Sequence, residues 1–183
     1  MTFDYPGYDL VFIQKMPCDD TTDHLYTYVY KFFSTVTKYF YILNADYHNE
    51  DAFAIKFYCK KDRGSIYKYS KIINKGDLPN ILVTCAKVIP LLLEKYPTAS
   101  FAFGASSSVD SKNNLQEPLA KNQRFEVYTY LVSRKIGRVT FKHKKFPKIS
   151  CYMLINRNCD DINKKERKLK KIFKRTYPNL ASI

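Results

Sequence analysis

Three runs of aromatic and β-branched residues follow one another in the first third of the chain. They cover residues 25–33, 39–47 and 52–59, and only residues 34–38 and 48–51 separate them. Runs of this composition are typical of β-strands, and connections this short join strands that are neighbours in a sheet. The pattern predicts an antiparallel meander, to which residues 8–14 add an earlier strand.

A helix is predicted after the meander. Asp77 has the residue type of an N-cap, and apolar residues fill most positions of 81–93. Pro90 should kink this helix, because its ring clashes with the carbonyl group four residues earlier. Residues 100–103 then predict a short strand, and the polar residues 105–118 predict a loop.

The last third of the chain predicts two helices around a hairpin. Residues 122–136 carry apolar side chains at helical spacing, and Gly137 is the expected C-cap. Residues 139–146 and 150–156 predict two strands that turn near the proline between them. Residues 160–177 predict a basic, amphipathic C-terminal helix with acidic residues in its first turn.

This order of elements predicts the fold class. The length of 183 residues fits a single domain. Strands followed by alternating helices and strands favour an α+β fold with one mixed or antiparallel sheet, helices mainly on one face and a basic C-terminal helix. Parallel pairing of the strands on either side of the apolar helix stays open as an alternative.

The positive charge is concentrated in the second half of the chain. Residues 101–183 hold 19 Lys and Arg against 6 Asp and Glu, whereas residues 1–100 hold 12 against 11. An uneven field of this kind attracts polyanions. Nucleic acid is the leading partner class, because neutralising phosphates releases counterions and drives binding without sequence recognition.

The predicted C-terminal helix carries most of the candidate nucleic-acid contacts. Its apolar residues form a narrow seam made of Ile162, Leu169, Ile172, Phe173 and Tyr177. Its basic residues cover the remaining surface. The alternatives are a solvated helix docked on the domain, contact with an anionic membrane, which we do not expect, and contact with an acidic protein. The candidate phosphate contacts here are Lys164, Lys165, Arg167, Lys168, Lys171, Lys174 and Arg175.

A second basic segment lies in the predicted hairpin. Lys142, Lys144, Lys145 and Lys148 are the candidate contacts, and phenylalanines flank the first three of them. Cations among aromatic rings suit the binding of phosphates and unpaired bases. The alternative is an edge strand that lysines protect against sheet-to-sheet aggregation.

A weaker set of residues suits catalysis. Arg124 and Tyr128 lie one helical turn apart, and His143 lies among cations that favour its neutral form. If the protein is an enzyme, these three residues suit a metal-independent endoribonuclease that positions a 2′-hydroxyl group and stabilises charge on phosphate. The default interpretation is a core tyrosine, a surface arginine and a surface histidine.

Other function classes lack their sequence signals. Residues 104–108 follow a strand but have neither a P-loop nor a dinucleotide fingerprint, and no serine lies in a nucleophile elbow. No histidine or cysteine has metal-ligand spacing, so we expect no metal and no cofactor. The five cysteines lack disulfide-like spacing, and three lie in apolar runs. With no secretory signal apparent, we expect a cytoplasmic protein.

A distinctive set of residues lies within positions 80–135. It consists of Tyr96-Pro97, of Phe101, Phe103, Gly104 and Ser106, and of Arg124, Phe125, Val127 and Tyr128. In these residues the segment resembles small uncharacterised bacterial proteins. Those proteins place strands first, then a helix that ends in Tyr-Pro, a strand, and a second helix. The resemblance implies a shared architecture and a bacterial defence or mobile-element setting, and it implies no activity.

These patterns lead to one main hypothesis and two alternatives. The main hypothesis is a cytosolic accessory protein that binds nucleic acid, with RNA or single strands favoured because no motif for reading the major groove is present. The alternatives are a small endoribonuclease of toxin type and a protein-interaction module of a defence or toxin–antitoxin complex. The oligomeric state is left open.

Overall fold

The computed structural model describes residues 5–19, 23–71, 75–107, 109–110, 115–116, 118 and 120–177. Within these residues the chain forms a single α+β domain. The helices are α1 (Leu78–Ala86), α2 (Val88–Leu93), α3 (Gln123–Lys135) and α4 (Ile162–Thr176). The strands are β1 (Val11–Pro17), β2 (His24–Ser34), β3 (Tyr39–His48), β4 (Ala52–Cys59), β5 (Ser100–Gly104), β6 (Val109–Asp110), β7 (Leu115–Gln116), β8 (Phe141–Phe146) and β9 (Cys151–Asn156).

Seven of these strands form one mixed sheet in the order β1-β2-β3-β4-β5-β9-β8. The predicted meander is confirmed, because β1 to β4 pair antiparallel in sequence order. Strands β4 and β5 pair in parallel across α1 and α2, with Ile55 opposite Phe103 as their last pair. Strand β9 then pairs antiparallel with both β5 and β8.

The helices cover both faces of the sheet, with three of them on one face. Side chains of α1, α2 and α3 pack with those of β2 to β5 into the larger core, which includes Tyr28, Phe53 and Phe101. Helix α4 covers the opposite face over β5 and β9, where Leu169 and Phe173 pack against Met153 and its neighbours. Alternation along β4, β5 and β9 divides the residues of these strands between the two cores.

The boundaries of the helices follow local chemistry. Asp77 precedes α1 as predicted, and the helix breaks at Lys87, three residues before Pro90. Pro90 has no N–H to donate and crowds the carbonyl group four residues earlier, which explains the break. Asn122 caps α3 by accepting a hydrogen bond from the backbone N–H of Phe125 at 2.9 Å.

Three local predictions need correction. The first strand begins at Val11, later than the predicted residue 8. Helix α3 ends on Ile136 in an extended conformation and Gly137 lacks a positive φ, so Gly137 is not a left-handed cap. The predicted loop 105–118 contains the short β6–β7 ladder, while residues 108, 111–114 and 117 lie outside the described residues.

Cysteine placement agrees with the prediction of apolar positions. Cys59, Cys85 and Cys151 are buried, and none of the five cysteines, all of which the structure describes, is part of a disulfide bond. None of the helices in the described part of the chain has the length and apolar character that crossing a lipid bilayer requires.

Candidate functional site

Helix α4 docks by the apolar seam that the sequence predicts. Leu169, Ile172 and Phe173 are buried, and Ile162 and Tyr177 pack at the two ends of the seam. Asp161 starts the helix by accepting hydrogen bonds from the backbone N–H groups of Asn163 and Lys164 at 2.8 and 2.9 Å. The cap and the seam together determine which face of the helix points to solvent.

The solvent face of α4 carries a row of four cations, here called the outer ridge. Lys164, Arg167, Lys171 and Lys174 are all exposed and follow one another at intervals of three or four residues, which places them on one side of a helix. Within the described part of the chain, no carboxylate oxygen lies within 4 Å of their charged nitrogens. Their charge is therefore open to an external partner.

Carboxylates of the N-terminal half form ion pairs with cations on one flank of α4. Lys168 pairs with Glu50 at 2.7 Å, and Arg175 pairs with Asp23 at 2.5 Å. Lys165 is half-buried and donates to the backbone carbonyl of Asp51 at 3.4 Å, and burial lowers its pKa. These three predicted phosphate contacts already hold α4 on the domain.

Glu166 forms ion pairs with lysines on the other flank of α4. Its carboxylate is buried and lies 3.7, 3.1 and 3.2 Å from the ammonium groups of Lys142, Lys144 and Lys170. Burial alone raises the pKa of Glu166, but Lys144 and Lys170 lower it overall. Lys142 and Lys144 thus link edge strand β8 to α4.

The remaining predicted residues of the hairpin lie apart from that link. Lys145 and Lys148 are exposed, and alternation turns Lys145 away from the face that Lys142 and Lys144 share. His143 shares the face of Lys145, and its Nδ1 lies 2.7 Å from the hydroxyl oxygen of Tyr152. Burial, together with Arg138 and Lys145, lowers the pKa of His143.

Aromatic rings contribute little to the basic surface. Phe141 is buried in the larger core, and half-buried Phe146 lies under the Lys170 ammonium group, 4.8 Å from its ring centre. Tyrosines alternate along β2 at Tyr26, Tyr28 and Tyr30 and face the larger core, in which Tyr28 and Tyr30 are buried. The basic surface is therefore suited to phosphate contacts more than to base stacking.

Arg124 and Tyr128 are both buried and line a cavity of about 530 Å³ next to the middle of β4 and the end of β5. The Arg124 guanidinium group donates to the carbonyl oxygen of Tyr69 and, at 2.6 Å, to that of Lys71. Arg124 therefore anchors the segment after β4 and is not the surface arginine of the default interpretation. His143 does not line this cavity, so the three candidate catalytic residues do not share one site.

A buried polar network beneath α4 was not predicted. The Asp46 carboxylate pairs with the Lys56 ammonium group and accepts hydrogen bonds from Thr27 at 2.8 Å and Tyr177 at 3.1 Å. Tyr177 also lies 3.1 Å from Nε2 of His48. The available signal was the position of Asp46 and His48 two residues apart in an apolar strand, which places both on one face of the sheet.

The described residues contain no group of three His, Cys, Asp or Glu side chains arranged to hold a metal ion. In comparisons with protein-family models, with curated proteins and with solved structures, nothing matches this chain. The resemblance of residues 80–135 to small bacterial proteins stays a prediction.

Proposed function

We propose that this protein binds nucleic acid through the outer face of α4. The observation that carries the proposal is the outer ridge, four exposed cations in a row whose charge no carboxylate of the described residues neutralises. Its two ends, Lys164 and Lys174, are ten positions apart in the sequence, which corresponds to about 15 Å along a helix. A row of this length matches several consecutive phosphates of a nucleic-acid strand.

The chemistry of the ridge favours contacts with the backbone of the nucleic acid. Lysine and arginine neutralise phosphates and release counterions without reading bases. RNA or single-stranded DNA is the favoured ligand, because the sequence has no duplex-reading motif. Lys145 and Lys148 are also exposed, but Lys145 points away from the face of β8 that contacts α4, so the proposal rests on the outer ridge alone.

Fluorescence anisotropy with labelled oligonucleotides of one length tests the proposal. Single-stranded RNA, single-stranded DNA and duplex DNA are titrated at about 50 mM and about 200 mM salt. Four phosphate contacts to a single strand give a logarithmic slope of about −2.8, so the affinity should fall roughly 50-fold between these salt concentrations. Duplex DNA should bind no more tightly than the single strands.

Two variants with the same loss of charge separate a local site from overall charge. The ridge variant replaces the four outer-ridge cations with glutamine and should lose most of the salt-dependent affinity. The control variant removes three lysines and one arginine that are exposed outside α4 and β8, and it should bind nearly as the unchanged protein does. The control residues are Lys60, Lys61, Arg63 and Lys95.

Two outcomes overturn the proposal. One is the absence of binding to every oligonucleotide at low salt. The other is an equal loss of affinity in the ridge and control variants, which assigns the binding to net charge alone. Degradation of RNA in the presence of EDTA would instead support the endoribonuclease alternative, and it is read from the same samples on a gel.

A further inference from the structure

We infer that the cavity between β4 and β5 is a binding site for a nucleoside monophosphate, separate from the outer ridge. The two parallel strands share their last pair at Ile55 and Phe103. Beyond it β4 continues to Cys59, while β5 ends at Gly104, whose strand partner among the described residues is Cys151 of β9. The gap between the strands forms the cavity of about 530 Å³. This volume lies within the range of small-molecule sites.

Two cationic residues line the cavity. These are Lys56 and Arg124, and among the described residues that line it no carboxylate is present. The Lys56 ammonium group is paired with the Asp46 carboxylate, which does not line the cavity, so a phosphate contact depends mainly on Arg124. Arg124 is held in place by the carbonyl oxygens of Tyr69 and Lys71. A guanidinium group held in this way favours a phosphate because the geometry of its donors is already set.

Aromatic rings on the walls suit a nucleobase. Phe57, Tyr69 and Tyr177 line the cavity. The Lys56 ammonium group lies 5.5 Å from the ring centre of Tyr69 and 5.2 Å from that of Tyr177, so the cation lies close to both rings. Stacking on aromatic side chains stabilises any base, because every base has a π-face. The combination of cations and rings favours an aromatic anion over a purely apolar ligand.

Hydroxyl groups supply the polar contacts that a ribose or a base edge needs. Ser70, Ser106 and Tyr128 line the cavity, and in the part of the chain that the structure describes no hydrogen bond joins their hydroxyl groups to another residue. Tyr128 is only 3% exposed, but its hydroxyl oxygen is not among the fully buried atoms without a partner, so it reaches the open space of the cavity. A polar ligand can bond to these hydroxyl groups without displacing a contact within the protein.

Gly104 offers a way to fill the cavity without disturbing the fold. It lines the cavity, its φ is not positive, and a Cβ atom added to it would meet no heavy atom within 4 Å. Gly104→Leu therefore adds a side chain at the wall of the cavity, on the face of β5 that Gly104 shares with Ala102, which also lines it. Gly137→Leu is the matched control, because Gly137 has the same open surroundings and does not line the cavity.

Isothermal titration calorimetry with the four common ribonucleoside 5′-monophosphates tests the inference, with the parent nucleosides and inorganic phosphate as fragments. At least one monophosphate should bind with a Kd below about 1 mM, and its fragments should bind at least about tenfold more weakly. Gly104→Leu should weaken this binding about tenfold or more, whereas Gly137→Leu should leave it unchanged. Tyr128→Phe should weaken it without lowering the unfolding midpoint.

Two results overturn the inference. One is the absence of binding to all four monophosphates at a concentration well above about 1 mM, and the other is equal binding by Gly104→Leu and the unchanged protein. The ridge variant should bind the monophosphate normally, and Gly104→Leu should bind oligonucleotides normally. Failure of the cavity site is thereby distinguished from failure of the proposed nucleic-acid surface.

Discussion

Buried His48 should make the fold lose stability in mild acid. Its Nδ1 lies 2.8 Å from the carbonyl oxygen of Asp46, and its Nε2 lies 3.1 Å from the hydroxyl group of Tyr177. A carbonyl oxygen accepts only from N–H, so Nδ1 carries the proton of the neutral ring and Nε2 carries none. The single hydroxyl proton of Tyr177 goes either to the Asp46 carboxylate or to Nε2, because both lie 3.1 Å from that hydroxyl group. The rings of His24 and Phe173 pack at 5.1 and 5.4 Å. A proton on Nε2 has to be accommodated in this closed environment.

The size of the effect follows from the pKa of His48. Burial, and then the neighbouring His24, lowers this pKa from 6.5 to about 4. The unfolded chain therefore takes up the proton first, so stability is complete above pH 6.5 and is lost as the pH falls toward 4. The full loss is roughly 3 kcal/mol, of which about 2 kcal/mol is lost between about pH 7.5 and about pH 5.

Urea denaturation followed by circular dichroism measures this loss at several pH values in that interval. His48→Gln should be less stable near neutral pH, and its free energy of unfolding should fall by about 2 kcal/mol less across the interval than that of the unchanged protein. His143→Gln is the comparison variant. The pKa of His143 is also lowered, so this histidine contributes to the loss of stability in acid in the same direction as His48.

Two results refute this reasoning. His48→Gln that keeps the full pH dependence of the unchanged protein shows that other groups cause it. A native-state NMR titration in which the His48 ring protonates near 6.5 shows that the fold does not resist its charge.

Three further predictions concern single contacts. Glu166→Gln should lower stability by about 1–2 kcal/mol in urea but raise oligonucleotide affinity at low salt, because it frees the three lysines around that carboxylate; a fall in both quantities contradicts this. Lys56→Met should cost about 3–5 kcal/mol near neutral pH, because Asp46 is only 1% exposed, and the cost should shrink in acid as that carboxylate is protonated; a cost that does not change with pH is the opposing outcome. Asn122→Ala should cost about 2 kcal/mol through loss of the α3 cap bond and of the bond to the Ala105 carbonyl, and a loss in urea below about 0.5 kcal/mol argues against both.

The local elements of the fold were predictable because their signals are local. Runs of aromatic and β-branched residues predicted β2, β3 and β4, and the short separations between these runs predicted antiparallel neighbours, which the structure confirms. The apolar seam and the acidic start of α4 predicted both its limits and its docked face. The prediction of Gly137 as the C-cap was wrong, because α3 ends at Ile136, whose backbone is extended.

The candidate site was predictable only in part. The density of basic residues in α4 was visible in the sequence, but the carboxylates that neutralise several of them are distant in the chain. Lys168 meets Glu50 across 118 positions, and Arg175 meets Asp23 across 152. No spacing rule connects residues so far apart, so the division of α4 into a free ridge and two paired flanks appears only when the chain is folded.

The sequence by itself determined most of the helices and strands, the α+β class and the concentration of positive charge in the second half of the chain. The helices and strands were predictable because their signals lie within one turn or one strand. Only the tertiary structure decided which cations stay unpaired, that β4 and β5 run parallel and separate to form a cavity, and that Arg124 is buried against distant carbonyl groups. Those outcomes depend on long-range packing, where burial and charge pairing compete over the whole domain and no local pattern records the result.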